Sequence, residues 1–147
     1  DLRGRYDRLE VFRGPAGAIE RIRVIDYKTS RALDQWRKAA NAARGEFGVT
    51  RFQLPVYLLG VIEPRASELA PTANIESGYL VLKSRDKDAI FPVPRELIEG
   101  VGAPVPTRIT DLVSDALQGR FDVDPYECNE YCPFRTVCRY EKRTARD

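Results

Sequence analysis

The hydrophobic pattern at the start of the chain is that of a β-hairpin. Segments 2–12 and 19–28 are rich in Val, Ile, Leu, Phe and Tyr, which are residue types that strands favour. The sequence RGPAGA between them carries the Gly and Pro of a turn. The pattern therefore predicts two antiparallel strands joined by a short loop.

Two helices are predicted next. Asp34 can cap a helix with the sequence QWRKAANAAR, which stops at Gly45. Thr50 can begin a second helix, RFQLPVYLLGVIE, which Pro64 ends. Pro55 falls inside this second segment, so the helix either starts later than Thr50 or is kinked at the proline.

The rest of the chain adds two strands and one helix. Residues 65–76 are predicted to be a polar loop, and SGYLVLKS and AIFPVP to be strands, with Pro92 and Pro94 placing the last strand at a sheet edge. TRITDLVSDALQGRF is an amphipathic helix that ends at Gly119, with its apolar side chains predicted to face inward: Ile109, Leu112, Val113, Ala116 and Leu117. The order of elements predicts a mixed α/β domain with a central sheet.

Composition limits the class of protein. With 147 residues, 43% hydrophobic and 31% charged, the chain is expected to be one soluble globular domain. No apolar run approaches the roughly 20 residues of a membrane helix, and no signal peptide opens the sequence. The 24 basic and 22 acidic residues nearly balance, so net charge alone does not indicate a nucleic-acid partner.

The stretch VIDYKTS places Asp26 and Lys28 within a strand that otherwise reads as buried. Residues two apart in a strand share a face. If the hairpin turn centres on residues 16–17, Asp26 faces Asp7 across it, and two carboxylates this close repel each other unless a cation or a shared proton intervenes. A divalent ion would relieve this repulsion, whereas Lys28 alone would do so only in part.

This arrangement is what metal-dependent phosphodiester hydrolysis requires, because the ion polarises the phosphoryl oxygen and acidifies a water. Spacing alone equally allows a surface ion pair on a half-exposed hairpin. In FQLPVYLLG, Gln53, Tyr57 and Gly60 recur at helical spacing. They could orient a water or a phosphate, or simply form an ordinary boundary face.

The segments GRYDRLE, VIDYKTS and QLPVY together resemble the RecB-like branch of the PD-(D/E)XK nuclease superfamily, in its order and spacing. The tail GRFDVDPYECNEYCPFRTVCRYE resembles the iron–sulfur tail of AddB-type helicase–nuclease subunits and RecB-family exonucleases. The resemblance implies a restriction-endonuclease-like α/β core, a mixed sheet flanked by helices, over residues 1–125. Residues 126–147 would be the Cys-containing tail.

The resemblance also implies roles for individual residues. Two acids would bind Mg²⁺ or Mn²⁺ together with the backbone carbonyl of Tyr27, one lysine would be catalytic, and a Q-x-x-x-Y pair would line the site and help hold the nucleic acid; these are Asp7 and Asp26, Lys28, and Gln53 with Tyr57. The implied activity is Mg²⁺-dependent, exonuclease-type cleavage of single-stranded DNA ends delivered by a helicase motor or subunit during double-strand-break repair.

The three cysteines Cys128, Cys132 and Cys138 lie within one short tail. With no secretory signal, they favour a reducing, cytoplasmic setting and a metal or cluster role over disulfides. Thiolates bind iron–sulfur clusters or structural zinc, and each normally takes four ligands. The resemblance implies a [4Fe–4S] cluster whose fourth cysteine lies upstream, and therefore a chain that is the C-terminal part of a longer protein.

Two other functions compete with the nuclease. One is a DNA-binding module of the same fold that no longer cuts, against which the intact Asp7, Asp26 and Lys28 argue. The other is an interaction domain in which the tail binds Zn²⁺ and the acids are surface charge. Visible colour would separate the last from a cluster protein, because zinc does not absorb visible light.

Overall fold

The computed structural model describes residues 4–29, 33–44, 47–48, 51–83 and 88–120. The strands are β1 (Arg8–Arg13), β2 (Ile19–Lys28), β3 (Leu69–Val81) and β4 (Asp88–Pro92). The helices are α1 (Leu33–Ala40), α2 (Gln53–Ile62) and α3 (Pro104–Leu117), and short 3-10 helices span Ala42–Arg44, Glu63–Glu68 and Arg95–Leu97. The tail with Cys128, Cys132 and Cys138 lies outside the described residues.

The first two strands form the predicted hairpin. They pair antiparallel in the register expected for a turn centred on residues 16–17, from Arg8 opposite Ile25 to Phe12 opposite Arg21. Strand β1 begins at Arg8, several residues later than the pattern predicted. Gly17 in the turn has φ of 83°, a left-handed conformation that glycine adopts without steric cost.

The sheet is mixed, with strand order β1-β2-β3-β4. Strands β2 and β3 are parallel, whereas β1 and β4 run antiparallel to their neighbours. A parallel pair requires a crossover connection, and the chain between β2 and β3 supplies it with α1 and α2. The α/β fold with a mixed sheet and flanking helices is therefore confirmed.

The prediction of a polar loop for residues 65–76 is wrong. Only Glu63–Glu68 is a short 3-10 helix, and β3 already begins at Leu69. In this segment Leu69 pairs with Ile19 of β2, and after a register shift Asn74 pairs with Arg21 and Ile75 with Ile22. Backbone hydrogen bonds to a neighbouring strand hold this polar segment extended, a cause that its own residue pattern does not reveal.

The hydrophobic core lies between one face of the sheet and the helices. Alternate residues of β2 and their β3 partners face the helices, and α2 packs its apolar side chains onto them. The fully buried side chains of this core include Ile22, Val24, Leu54, Leu58 and Ile75. The other face of β2 carries charged residues such as Arg23 as well as the buried Ile25, so this face is mixed, whereas the face towards the helices is mainly apolar.

The helix boundaries differ from those predicted. Helix α1 begins at Leu33, so Asp34 lies in its first turn. Helix α2 begins at Gln53, which puts Pro55 in the first turn, where its missing N–H is not needed. Gly119 follows α3 as predicted, with φ of 70°.

The prediction that the apolar side chains of α3 face inward is largely wrong. Ile109 packs against the core, but Leu112, Val113 and Leu117 are exposed. The chain divides into two compact units, Asp1–Leu112 and Val113–Asp147, and all four strands lie in the first. None of the helices in the described part of the chain has the length and apolar character needed to cross a membrane.

Candidate active site

Asp26 and Lys28 lie together at the carboxyl end of β2. Because alternate residues of a strand share a face, both side chains point towards the helices. Lys28 Nζ lies 2.6 Å from Asp26 Oδ2, and the Asp26 side chain is only 8% exposed. A carboxylate buried to this extent needs a charged or hydrogen-bonding partner, which Lys28 supplies.

Gln53, the first residue of α2, contacts both charges. Its Nε2 donates to Asp26 Oδ1 over 2.9 Å, and its Oε1 accepts a hydrogen bond from Lys28 Nζ over 3.0 Å. An amide can serve both partners because it carries a donor and an acceptor. One helical turn later, the Tyr57 hydroxyl accepts a hydrogen bond from Gln53 Nε2 over 3.3 Å. Asp26, Lys28, Gln53 and Tyr57 therefore form one continuous network, the Asp26 network.

Asp7 reaches the same strand end from the segment before β1. The register of the hairpin, continued one residue beyond Arg8 and Ile25, places Asp7 beside Asp26. Asp7 Oδ2 accepts a hydrogen bond of 2.7 Å from the backbone N–H of Tyr27. The structure thus brings the Asp7 carboxylate to the peptide that follows Asp26, and this hydrogen bond links it to the Asp26 network. The Tyr27 ring is 39% exposed.

Two aromatic rings that the sequence did not single out lie against the Lys28 ammonium. Nζ is 4.8 Å from the ring centroid of Trp36 on α1 and 5.0 Å from that of Tyr79 on β3. Tyr79 pairs with Asp26 across the parallel strands, which puts both side chains on one face. In the sequence, Trp36 reads as the apolar side of a helix and Tyr79 as strand core. The pairing of β2 with β3 identifies Tyr79, and the packing of α1 against β3 identifies Trp36.

The Tyr79 phenol is held in its neutral form. Burial of the ring, followed by the negative charge of Asp26, raises the pKa of Tyr79 to about 12, while the positive charge of Arg51 opposes the rise. Arg51 lies two residues before α2. Aromatic side chains therefore line the site on the Tyr79 side, and the Asp7 carboxylate lines it on the other side.

The segment before β1 packs against α2. Tyr6 meets Tyr57 edge to face, with ring centroids 6.4 Å apart. A Cβ atom on residue 4 would lie 2.8 Å from Cε1 of Tyr57, so Gly4 is what allows the backbone to pass the ring this closely. These contacts hold Asp7, three residues after Gly4, near the start of α2.

The donor set at this strand end fits a hard divalent cation. Asp7 and Asp26 offer carboxylate oxygens and Tyr27 a backbone carbonyl, and Mg²⁺ is usually bound by one or two carboxylates with waters and substrate phosphates. A carboxylate oxygen that accepts one hydrogen bond keeps a second lone pair for a metal. Among the residues described, no group of three or more His, Cys, Asp or Glu side chains gathers at one point. Waters and substrate would therefore have to complete the coordination.

The mixed sheet, with an acid–lysine pair and a second acid at the end of its second strand, defines a nuclease-type α/β fold. A family model of the PD-(D/E)XK nuclease superfamily matches residues 1–139, and the chain belongs to that superfamily. Members of this superfamily are typically nucleases that use divalent metals, with DNA as the substrate that the fold implies. Neither the curated proteins nor the solved structures that were compared with the chain gave a match.

Proposed function

We propose that this chain is a Mg²⁺-dependent deoxyribonuclease that hydrolyses phosphodiester bonds at single-stranded DNA ends, with Mn²⁺ able to replace Mg²⁺. The observation that carries the proposal is the Asp26 network at the end of β2. Lys28 Nζ lies 2.6 Å from one oxygen of Asp26, and Gln53 donates to the other over 2.9 Å. An ammonium held this close to a metal-binding carboxylate is placed to act at a phosphate that the ion binds.

Asp7 and Asp26, with the Tyr27 carbonyl, would hold the ion. When bound, the ion supplies a polarised phosphoryl oxygen and a water of lowered pKa. Lys28 would orient the attacking water or stabilise the negative charge that builds up on the phosphate. Its distance from Asp26 is fixed by Gln53, which touches both side chains.

The Q-x-x-x-Y pair would form the side of the site on which the nucleic acid lies. Gln53 and Tyr57 share one face of α2, and the Tyr57 ring packs against Tyr6. The Tyr57 hydroxyl accepts from Gln53, so its own O–H can donate to a phosphate oxygen. Gln53 already donates to Asp26 and Tyr57, so it could donate to a phosphate only by giving up one of these two hydrogen bonds. This face would position the DNA backbone without reading its sequence.

The finer biological role rests on the RecB-like order of the motifs. On that basis the chain would be an exonuclease domain that acts in the cytoplasm with a helicase motor or subunit, in double-strand-break repair. The resemblance supports this role, and an end-labelled substrate tests it. Release of mononucleotides from one end favours an exonuclease, whereas internal cuts favour an endonuclease.

The principal test is the loss of cleavage in Lys28→Ala and Asp26→Ala. With single-stranded DNA and Mg²⁺, each variant is expected to lose at least about 100-fold in cleavage rate, because both residues act on the transition state. Each variant should be less stable than the unaltered chain, because it leaves one partner of the buried Asp26–Lys28 pair without its counter-charge. Cleavage is therefore compared at a temperature at which circular dichroism shows each variant to be folded, and DNA binding should change little there. Chelation of the metal should stop cleavage by the unaltered chain.

Arg13→Ala is the matched control for these variants. Arg13 forms an exposed ion pair with Glu68 near the hairpin turn, at the other end of β2 from the site. Its removal also breaks an ion pair, yet it should leave cleavage unchanged. If Lys28→Ala cuts DNA as fast as the unaltered chain, the mechanism is wrong. If the unaltered chain binds DNA but does not cut it, even in a protein that also carries the upstream cysteine, the binding module is favoured.

A further inference from the structure

We propose that Trp36 and Tyr79 are positioning residues that hold the Lys28 ammonium in its reactive place. Together the two rings form the aromatic wall of the site. The inference rests on the function proposed above and adds two residues, one on α1 and one on β3, that belong to none of the motifs in the sequence.

The geometry of the wall is that of a double cation–π contact. Lys28 Nζ lies 4.8 Å from the Trp36 centroid and 5.0 Å from the Tyr79 centroid, both within the roughly 6 Å over which a ring attracts a cation. The two rings also pack on each other, with centroids 4.9 Å apart and planes tilted by 55°. Tyr79 is only 2% exposed, so the core fixes this ring and, through it, its neighbour.

The wall matters because the polar partners of Lys28 are also the groups that cleavage would engage. Asp26 would share its charge between Lys28 and a metal ion, and the Gln53 amide would share its hydrogen bonds with a phosphate. The flexible four-carbon side chain of Lys28 would then be free to rotate into solvent. The attraction of the rings for a cation does not depend on the state of Asp26 or Gln53. The aromatic wall would therefore retain the ammonium within reach of the phosphate.

Trp36 contributes its ring face rather than its N–H. In the part of the chain that the structure describes, the Trp36 Nε1 atom is buried and has no hydrogen-bond partner. Replacement by Phe therefore removes no hydrogen bond and keeps an aromatic face. Replacement by Leu keeps apolar volume but removes the face that attracts the cation.

The first measurement separates kcat from KM for Mg²⁺-dependent cleavage of a single-stranded oligonucleotide by the whole chain. Trp36→Leu is expected to lower kcat by about tenfold, the size expected for one desolvated cation–π contact, with KM almost unchanged. Trp36→Phe and Tyr79→Phe should keep most of the rate, since both retain a ring.

Phe91→Leu is the control for a general loss of packing. Phe91 is a partly buried aromatic residue on β4 that packs against the same core. Its truncation to Leu should lower the denaturation midpoint about as much as Trp36→Leu does, but leave kcat unchanged. A merely structural role for Trp36 would make the two variants behave alike.

The second measurement does not need an active enzyme. In lysine-labelled, metal-free protein, the ε-methylene protons of Lys28 should resonate upfield of the other lysines, because the adjoining Nζ lies 4.8 Å and 5.0 Å from the centroids of two rings. Lys28→Arg identifies the signal by removing it. Trp36→Leu should move the signal back towards the position of an ordinary lysine, and Trp36→Phe should restore much of the shift.

The outcomes distinguish the two proposals. If the unaltered chain cuts DNA and Trp36→Leu cuts with the same kcat, or if the Lys28 signal does not respond to Trp36→Leu, the aromatic wall is refuted and the nuclease stands. If neither the unaltered chain nor a protein that also carries the upstream cysteine cuts DNA, the proposed function fails and the catalytic role of the wall fails with it. A drop in kcat together with the moved signal, reversed in Trp36→Phe, supports the wall.

Discussion

At the scale of single residues, Tyr79 shows how burial and charge act on one group. Its ring lies in the core beside Asp26, and its pKa is raised from 10.0 to about 12. Both causes disfavour the phenolate, since burial removes water and the carboxylate repels a second negative charge. The hydroxyl therefore stays neutral beside the site at any pH at which DNA cleavage would be measured.

This raised pKa predicts how stability depends on pH in the alkaline range. The unfolded chain ionises Tyr79 near 10.0 and the folded chain at about 12, so the unfolded state releases its proton first as the pH rises. The stability linked to the neutral phenol is complete below the unfolded pKa and is lost as the pH rises through the folded pKa, by about 3 kcal/mol in full and about 2 kcal/mol by about pH 11.5. Urea unfolding of metal-free protein at about pH 9 and about pH 11.5 measures this loss.

The comparison that isolates Tyr79 uses Tyr79→Phe, in which the fall in stability with pH should be smaller. Tyr6→Phe removes an exposed hydroxyl and serves as the control. If the unaltered chain and Tyr79→Phe lose stability equally between the two pH values, Tyr79 does not ionise as proposed.

At the scale of elements, charged side chains join three strands on the sheet face that is turned away from the helices. Arg23 on β2 lies 3.1 Å from Glu10 on β1 and 2.7 Å from Glu76 on β3. The side chains of Arg23, Glu10 and Glu76 are 24%, 15% and 16% exposed. Cross-strand pairs of opposite charge stabilise the register of neighbouring strands. This row supports the β1–β2–β3 pairing that brings Asp7, Asp26 and Tyr79 to one strand end.

Arg23→Ala is expected to lower the free energy of unfolding by about 2 kcal/mol, because it leaves the partly buried Glu76 without its cation and Glu10 with Arg8 alone. Arg13→Ala breaks an exposed pair and should cost less than about 1 kcal/mol. Urea unfolding at neutral pH compares the two. Equal losses would mean that the Arg23 row contributes no more than an ordinary surface ion pair.

At the scale of the whole molecule, the family match extends to residue 139 and so includes the three cysteines. These cysteines lie outside the described residues, and their role remains a prediction from the sequence. Three thiolates leave a four-ligand site one ligand short. A fourth cysteine from an upstream segment would join the start of the domain to its end and make the cluster structural.

The cluster hypothesis predicts metal content. The chain of 147 residues alone should lack an intact cluster. A protein that also carries the upstream cysteine, purified without oxygen, should be brown and contain about four iron atoms per chain. Cys132→Ser should remove the colour and most of the iron. Stoichiometric zinc without iron would refute the cluster and favour the zinc-stabilised domain.

The sequence determined the local features of this protein, because those depend on neighbours in the chain. Period-two spacing put Asp26 and Lys28 on one face, and the turn at residues 16–17 set the register of the hairpin. Helical spacing put Gln53 and Tyr57 on one face of α2. The motif order indicated the superfamily that the family model identifies.

Tertiary structure decided the features that depend on residues distant in the chain. Strand β3 extends back to Leu69 because β2 offers backbone partners to a segment that reads as a loop. Trp36 and Tyr79 meet Lys28 only because the crossover makes β2 and β3 parallel and packs α1 against β3 and β4. Residue patterns encode which face of an element is apolar, but not which elements meet. That choice is made by packing and strand pairing across the whole domain.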